Sequence, residues 1–138
     1  MSEVKLDKDV QLQLMQHLEE LESSTDLEGT ALVTKSGIRI ASSTHMGVDE
    51  DAHSATPATL INLGQMVADK AGYGNLQEIV LTGEDGYTIV TTKQDSDFML
   101  LSHCKLAAKL GYYFHRLRKS FDALTTLLQG IEIGAGSF

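Results

Sequence analysis

The chain has 138 residues, one cysteine and a formal net charge of −8. A chain of this length suits one domain and buries about two-thirds of its unfolded surface, enough for a core without metals or disulfides. The acidic balance argues against general binding to nucleic acid or anionic membranes.

The N-terminal sequence and the cysteine content predict a cytoplasmic protein. MSEVKLDKDVQ is charged and lacks the apolar core of a signal peptide. No apolar run approaches the ~20 residues that a membrane-spanning helix needs, so no membrane insertion is expected. The lone Cys104 cannot form an intramolecular disulfide, which fits a reducing compartment.

The first part of the chain predicts a helix followed by a hairpin. Apolar residues at steps of three and four predict a helix over residues 4–22. Strands follow at 30–34 and 38–42, joined by a turn at Lys35-Ser36-Gly37. The stripe of the helix consists of Leu6, Val10, Leu14, Leu18 and Leu21.

The second helix is predicted from Pro57 to about Ala71, with Thr56 as its N-cap. Gly72 and Gly74 end it. Its apolar residues share one face, which we expect to cover the sheet. They are Leu60, Leu63, Gly64, Val67 and Ala71.

The remaining chain predicts three strands and a long helix. Strands at 76–82 and 87–92 form a hairpin around Asp85-Gly86, and a continuous apolar strand begins at Phe98. The third helix has a long apolar stripe, and the Gly-rich segment 131–138 after the domain at 1–130 is predicted to be a flexible tail. The stripe consists of Leu106, Leu110, Tyr113, Phe114, Leu117, Phe121, Leu124 and Leu128.

The element order α-β-β-α-β-β-β-α predicts an α+β fold. Two hairpins and an adjacent last strand form one five-stranded antiparallel sheet. The apolar last strand requires cover on both faces, so the helices are expected on both sides of the sheet.

This order and its motifs resemble the roadblock family, named after dynein light chains and including a bacterial gliding-motility regulator. LEGTALVTKSGIRIASS is similar to the first hairpin of the family, and LQEIVLTGEDGYTIV to its third and fourth strands. FMLLSHCKLAAKLGYYFHRLRKSFDALTTLL is similar to its closing strand and helix. The resemblance covers about residues 5–128 and implies a roadblock/longin-like architecture. It also suggests a stand-alone prokaryotic member.

The resemblance implies a homodimer joined through the third strand and second helix, with no catalytic residues of its own. It also implies binding to a small Ras-like GTPase, or service as an adaptor subunit. The unpaired third strand supports dimerisation independently, since it is otherwise a long apolar edge. The expected dimer interface is Ile61, Gly64, Ala68, Leu76, Gln77, Glu78, Ile79, Val80 and Leu81.

Two helix surfaces are candidate docking sites. The outer face of the second helix contains Asn62, Gln65, Met66 and Asp69, and an exposed methionine is an adaptable contact residue. The third helix has a basic ridge, which is a secondary docking candidate for an acidic partner or an acidic segment of this chain. The ridge consists of Lys105, Lys109, Tyr112, Arg116 and Lys119. For both surfaces the alternative is an ordinary solvated helix face.

No motif in the sequence supports catalysis, a cofactor or a specific metal site. GxxxxGK[ST] and GxGxxG are absent, so we expect no nucleotide binding by this chain. His103 and Cys104 adjoin on a strand and should point to opposite faces, which favours a buried structural thiol. The segment 45–55 contains His45, Asp49, Glu50, Asp51 and His53, which we interpret as a solvated loop.

The sequence therefore predicts a noncatalytic homodimer that regulates a small Ras-like GTPase by contacting its switch regions. The first alternative is a scaffold subunit that tethers proteins without affecting nucleotide turnover. The second is a small-ligand sensor, since sheets covered by helices can hold pockets.

Overall fold

The computed structural model describes residues 7–43, 56–104 and 110–129. These residues form three layers: a pair of helices, a five-stranded antiparallel sheet and a single helix on the opposite face. The elements in chain order are α1 (Lys8–Ser23), β1 (Leu27–Thr34), β2 (Arg39–Ser42), α2 (Thr56–Ala71), β3 (Glu78–Thr82), β4 (Tyr87–Thr92), β5 (Phe98–Cys104) and α3 (Leu110–Leu127). The predicted fold class and element order are confirmed.

The strand order across the sheet is β2-β1-β5-β4-β3. The chain builds one hairpin, β1–β2, then a second, β3–β4, and β5 enters between them. Leu32 lies opposite Leu100 on one side of β5, and Val90 lies opposite Leu101 on the other. The late apolar strand is therefore central, and β2 and β3 are the two edges.

The main core lies between the sheet and the helix pair α1/α3. The apolar stripes of both helices are buried there, as their spacing predicts. The largest fully buried side chains of this core are Leu14, Leu18, Leu32, Ile89, Leu100, Leu117, Phe121 and Leu124. Asp7 caps α1, because its carboxylate accepts from the backbone N–H of Asp9 at 3.0 Å.

Helix α2 covers the opposite face with a different stripe from the predicted one. Ala58, Ile61 and Ala68 are buried against Val90 and Leu101. Leu63 and Val67, expected on the core face, are 55% and 64% exposed, so that prediction is wrong. The small Ala58 and Ala68 flank one large side chain and allow the helix to lie close to the sheet, which rotates the larger apolar side chains outward.

Several predicted boundaries move by a few residues, and some predictions lie outside the described residues. β1 begins at Leu27 rather than residue 30, because an irregularity between Leu27 and Gly29 lets it continue along β5. β5 runs on to Cys104, whereas β3 begins at Glu78 rather than residue 76. The loop 45–55, residues 105–109 and the tail 131–138 lie outside the described residues.

Candidate dimer and partner interface

Strand β3 offers a free backbone edge. Thr92 N–H donates to the Gln77 carbonyl at 2.9 Å, and Gly83 N–H donates to the Gly86 carbonyl at 2.8 Å. In an antiparallel ladder the hydrogen-bonding direction alternates along the strand, so the groups of Ile79 and Leu81 also point to β4. The N–H and C=O groups of Glu78, Val80 and Thr82 therefore point away from the sheet. Within residues 7–43, 56–104 and 110–129 no strand pairs with them.

The two faces of β3 have different neighbours. Ile79 packs towards α2, whereas Val80 packs against the α1/α3 core. Glu78, on the Val80 side, accepts from Arg118 of α3, whose Nε lies 3.0 Å from its Oε2. This hydrogen bond raises the pKa of the Arg118 guanidinium, so the cation is permanent. Arg118 thus fixes the start of the edge strand to α3 and leaves the outer backbone groups uncovered.

An exposed apolar surface adjoins this edge, and we call it the edge patch. It comprises Leu63, Met66 and Val67 of α2 and Leu81 of β3, which are between 48% and 64% exposed. Leu81 belongs to it because it alternates with Ile79 and so faces the α2 side of the sheet. A cluster of large exposed side chains next to an unpaired strand is typical of a protein–protein contact surface.

Gly64 brings α2 close to the edge strand within the protomer. A Cβ at this position would lie 2.6 Å from Cδ1 of Ile79 and 3.2 Å from a side-chain carbon of Leu76. The cost of a mid-helix glycine, about 0.5–1 kcal/mol relative to alanine, is therefore explained by helix-on-sheet packing. Leu63 and Val67 share the helix face of Gly64, so the close approach places them at the free edge.

The structure divides the expected dimer-interface residues into two groups. Ile61 and Ala68 are 3% and 5% exposed and pack against their own sheet, so they have little surface left for a second copy. Gly64 is half-buried under Ile79. The surface available for contact is supplied by the other expected residues, Leu76, Gln77, Glu78, Ile79, Val80 and Leu81, all half-buried or exposed. The sequence did not predict that Leu63 and Val67 belong to the contact surface. The available signal was that α2 has more apolar residues than one sheet-facing stripe requires.

The four residues expected to bind a partner are not equivalent. Met66 is 53% exposed, and Asn62 and Asp69 are also exposed. Gln65 is half-buried, and its amide donates to Asp69 at 2.9 Å while accepting from the Leu76 N–H at 3.2 Å. Gln65 therefore connects α2 to the segment before β3, and Met66 is the apolar member that remains open.

The basic ridge is only partly described. Tyr112 is 53% exposed and Lys119 is exposed, but Arg116 is half-buried and donates to the hydroxyl of Ser24 on α1. Lys105 and Lys109 lie outside the described residues. Arg116 and Lys119 line one side of a groove between α1 and α3.

Cys104 is buried in the α1/α3 core, as the sequence predicts. Burial raises the pKa of its thiol, and the Glu28 carboxylate adds to the effect. His103 lies on the other face of β5, where Nδ1 is 2.8 Å from the Thr88 hydroxyl. No group of three metal-ligating side chains comes together within the described ranges. None of the helices described is long and apolar enough to cross a bilayer.

The model of the Roadblock/LC7 domain matches residues 14–102. The chain belongs to the Roadblock/LC7 family. The matched span runs from the middle of α1 into β5 and includes the four other strands, α2 and the free β3 edge.

Relatives of this roadblock protein occur in archaea and bacteria. It is 24% identical to the protein MJ0310 of Methanocaldococcus jannaschii, over 78% of this chain and 93% of the relative. A structure described as MglB with tetrameric arrangement matches with a TM-score of 0.80 at 19% identity, covering 92% of this chain and 96% of that one. Myxococcus xanthus MglB matches with a TM-score of 0.79 at 17% identity, covering 96% and 99%. At these identities the structural matches establish the shared fold.

Proposed function

We propose that this protein is a noncatalytic homodimeric regulator that binds a small Ras-like GTPase at its switch regions. The observation that carries the proposal is the edge patch, an apolar surface next to an unpaired strand on a face where a single helix covers the sheet. The resemblance to the roadblock family supports the choice of partner class.

The first step of the proposal is pairing of β3 with β3 of a second copy. Antiparallel pairing satisfies the outward N–H and C=O groups of Glu78, Val80 and Thr82, and it joins two sheets into one. Leu63 and Val67 then adjoin their counterparts across the two-fold axis, which removes them from water. A contact of this kind is isologous, so the same residues serve on both protomers.

The second step is a shared platform made from two copies of α2. Asn62, Met66 and Asp69 lie on the outer side of each α2 and merge into one surface across the axis. A globular partner seated centrally blocks the second copy, so we expect one GTPase per dimer. Mass measurement by light scattering of the mixed complex tests this stoichiometry.

Regulation in this scheme acts on the catalytic groups of the GTPase itself. Helix α2 carries one cation, Lys70, and no arginine, so it supplies no arginine finger. An effect on hydrolysis would come from ordering the switch residues of the partner. We therefore expect no nucleotide hydrolysis by this protein alone.

Met66→Asp is expected to weaken GTPase binding by about 2 kcal/mol, because a charge replaces a desolvated apolar contact at the centre of the platform. Folding should be unaffected, since Met66 is 53% exposed. Binding can be measured by calorimetry with purified Ras-like GTPases of the same organism, each loaded with GDP or a GTP analogue.

Leu12→Asp is the matched control for this prediction. Leu12 of α1 is 55% exposed and lies on the other side of the sheet, so the same chemical change there should leave binding intact. Lys119→Glu on the basic ridge should alter mainly the association rate and its salt dependence. Normal binding by Met66→Asp together with loss of binding by Lys119→Glu would place the docking site on α3 instead.

An adaptor role is the main alternative to regulation. Both roles use the same surfaces, so turnover distinguishes them: a regulator changes the single-turnover hydrolysis or nucleotide-exchange rate of the bound GTPase, whereas an adaptor leaves both rates unchanged. A small-ligand sensor, the third candidate, would retain a ligand that native mass spectrometry can detect.

A further inference from the structure

A groove between α1 and α3 lies on the side of the sheet opposite α2. The two helices run antiparallel, since Ser24 at the end of α1 contacts Arg116 near the start of α3. The groove has a volume of about 400 Å³, within the range typical of small-molecule pockets. It is lined by His17, Glu20, Leu21, Ser23, Ser24, Arg116, Lys119, Ser120 and Ala123.

Ser120 lines this groove, and its hydroxyl has no hydrogen-bond partner among the described residues. It is 8% exposed, so it is nine-tenths buried. Helical hydroxyls commonly donate to the carbonyl four residues earlier, as Thr125 does to Phe121 at 3.0 Å and Thr126 does to Asp122 at 2.8 Å. Ser120 makes no such bond. The hydroxyl oxygen is not among the fully buried atoms, so a ligand in the groove can reach this unused donor.

Two cations beside Ser120 also have unused donors. Among the described residues, the guanidinium of Arg116 makes one hydrogen bond, to Ser24, and its buried Nε has no hydrogen-bond partner. Within the described part of the chain, no carboxylate forms an ion pair with Arg116 or Lys119.

The C-terminus of α1 accounts for part of this arrangement. The last turn of α1 has no basic residue, and Arg116 supplies a cation there from α3. That role explains the contact between Arg116 and Ser24. It leaves unexplained the Ser120 hydroxyl, the Arg116 Nε and the Lys119 ammonium, which line one groove and have no partner for these donors among the described residues.

We propose that the α1/α3 groove binds the phosphate group of a small soluble molecule. A tetrahedral dianion accepts hydrogen bonds in several directions, which suits a guanidinium, an ammonium and a hydroxyl on successive parts of one helix. The remaining volume accommodates an organic portion next to Leu21 and Ala123. Glu20 lines the same groove and opposes the anion.

The test is titration of the whole protein with inorganic phosphate and with glycerol phosphate, followed by amide NMR shifts. Sodium chloride holds the ionic strength constant and is also the blank. Saturable shifts confined to α1 and α3 with both phosphates are the expected result. A glutamate-rich peptide is titrated in the same way as a third probe. The absence of saturation with both phosphates overturns the proposal. Saturation with the peptide alone also overturns it, because the groove would then be a protein-docking surface.

Charge variants locate the site. Lys119→Gln should weaken phosphate binding about tenfold, the usual loss for one charge-assisted hydrogen bond. Lys70→Gln removes the same charge from α2 on the opposite face and should change nothing. Glu20→Gln should strengthen binding several-fold by removing the opposing carboxylate. Equal weakening by Lys119→Gln and Lys70→Gln would show nonspecific attraction and overturn the proposal.

Ser120→Ala separates ligand binding from a structural role. Alanine is the better helix former, and the Ser120 hydroxyl makes no hydrogen bond to the described residues that would be lost, so the melting temperature of the free protein should stay the same or rise. Phosphate affinity should nevertheless fall by about fivefold, the loss expected for one neutral hydrogen bond. Unchanged phosphate affinity in Ser120→Ala contradicts the assigned role of the hydroxyl.

Discussion

Val80→Pro is expected to convert the proposed dimer into monomers, raising the dissociation constant about 100-fold or more. Val80 is an outward-facing residue of β3, so its N–H is free to donate to a second copy. Proline removes this donor, and the two-fold axis makes the loss count twice. The loss of two hydrogen bonds at about 1–1.5 kcal/mol each, together with the clash of the proline ring, accounts for a rise of this size in the dissociation constant. Light scattering at several micromolar concentrations measures it.

Matched variants separate loss of pairing from loss of folding. Val80→Ala retains the N–H and trims the same side chain, which packs against the α1/α3 core, so it should remain dimeric. Ile79→Pro removes an N–H that points to β4 and should damage the sheet itself. Circular dichroism of Val80→Pro should match that of the wild type. A wild type that is monomeric at micromolar concentration, or a dimeric Val80→Pro, would show that β3 is not the joining edge.

Phe121→Ala should lower the free energy of unfolding by about 3–5 kcal/mol, a large share of the 5–15 kcal/mol typical of a domain. Phe121 is 1% exposed and lies in the α1/α3 core with Leu14, Leu18 and Leu117. Removing the ring loses its transfer free energy and leaves a cavity that three fully buried leucines can only partly fill. Urea unfolding followed by circular dichroism measures the loss.

Tyr112→Ala is the control on the same helix. Tyr112 is 53% exposed, so its removal should change the free energy of unfolding by about 0.5 kcal/mol or less. All variants need the same protein concentration, because the proposed dimerisation would contribute to the apparent stability. A loss below about 1 kcal/mol for Phe121→Ala would mean that the α1/α3 core is not packed as described.

Helix α3 and strand β5 show what the periodicity of apolar residues can predict about burial. The steps of three and four in α3 correctly predict burial of Tyr113, Leu117, Phe121 and Leu124. The continuous apolar run at the start of β5 correctly predicts a strand covered on both faces, since Leu100 faces α1/α3 and Leu101 faces α2. Both predictions succeed because the apolar residues of these elements pack in one place, the core of their own domain.

The candidate site was predicted less well, because α2 has two apolar stripes, of which one is buried on the sheet and the other is exposed. The third strand and second helix were expected at the interface, but Ile61 and Ala68 prove to be buried in the protomer, whereas Leu63 and Val67 are exposed. The groove residue Ser120 received no functional interpretation from sequence. Its missing hydrogen bond is a property of three-dimensional packing, which spacing along one helix does not reveal.

The sequence by itself determined the element order, the burial of β5 on both faces and the resemblance to the roadblock family, because strand and helix periods and turn residues are local signals. The position of β5 at the centre of the sheet came from the tertiary structure. Only the tertiary structure decided which face of α2 covers the sheet. Leu60, Leu63 and Val67 form as good an apolar stripe as Ala58, Ile61 and Ala68. The close approach of Gly64 to Ile79 selects the second stripe for the sheet, and so leaves Leu63 and Val67 beside the open edge of β3.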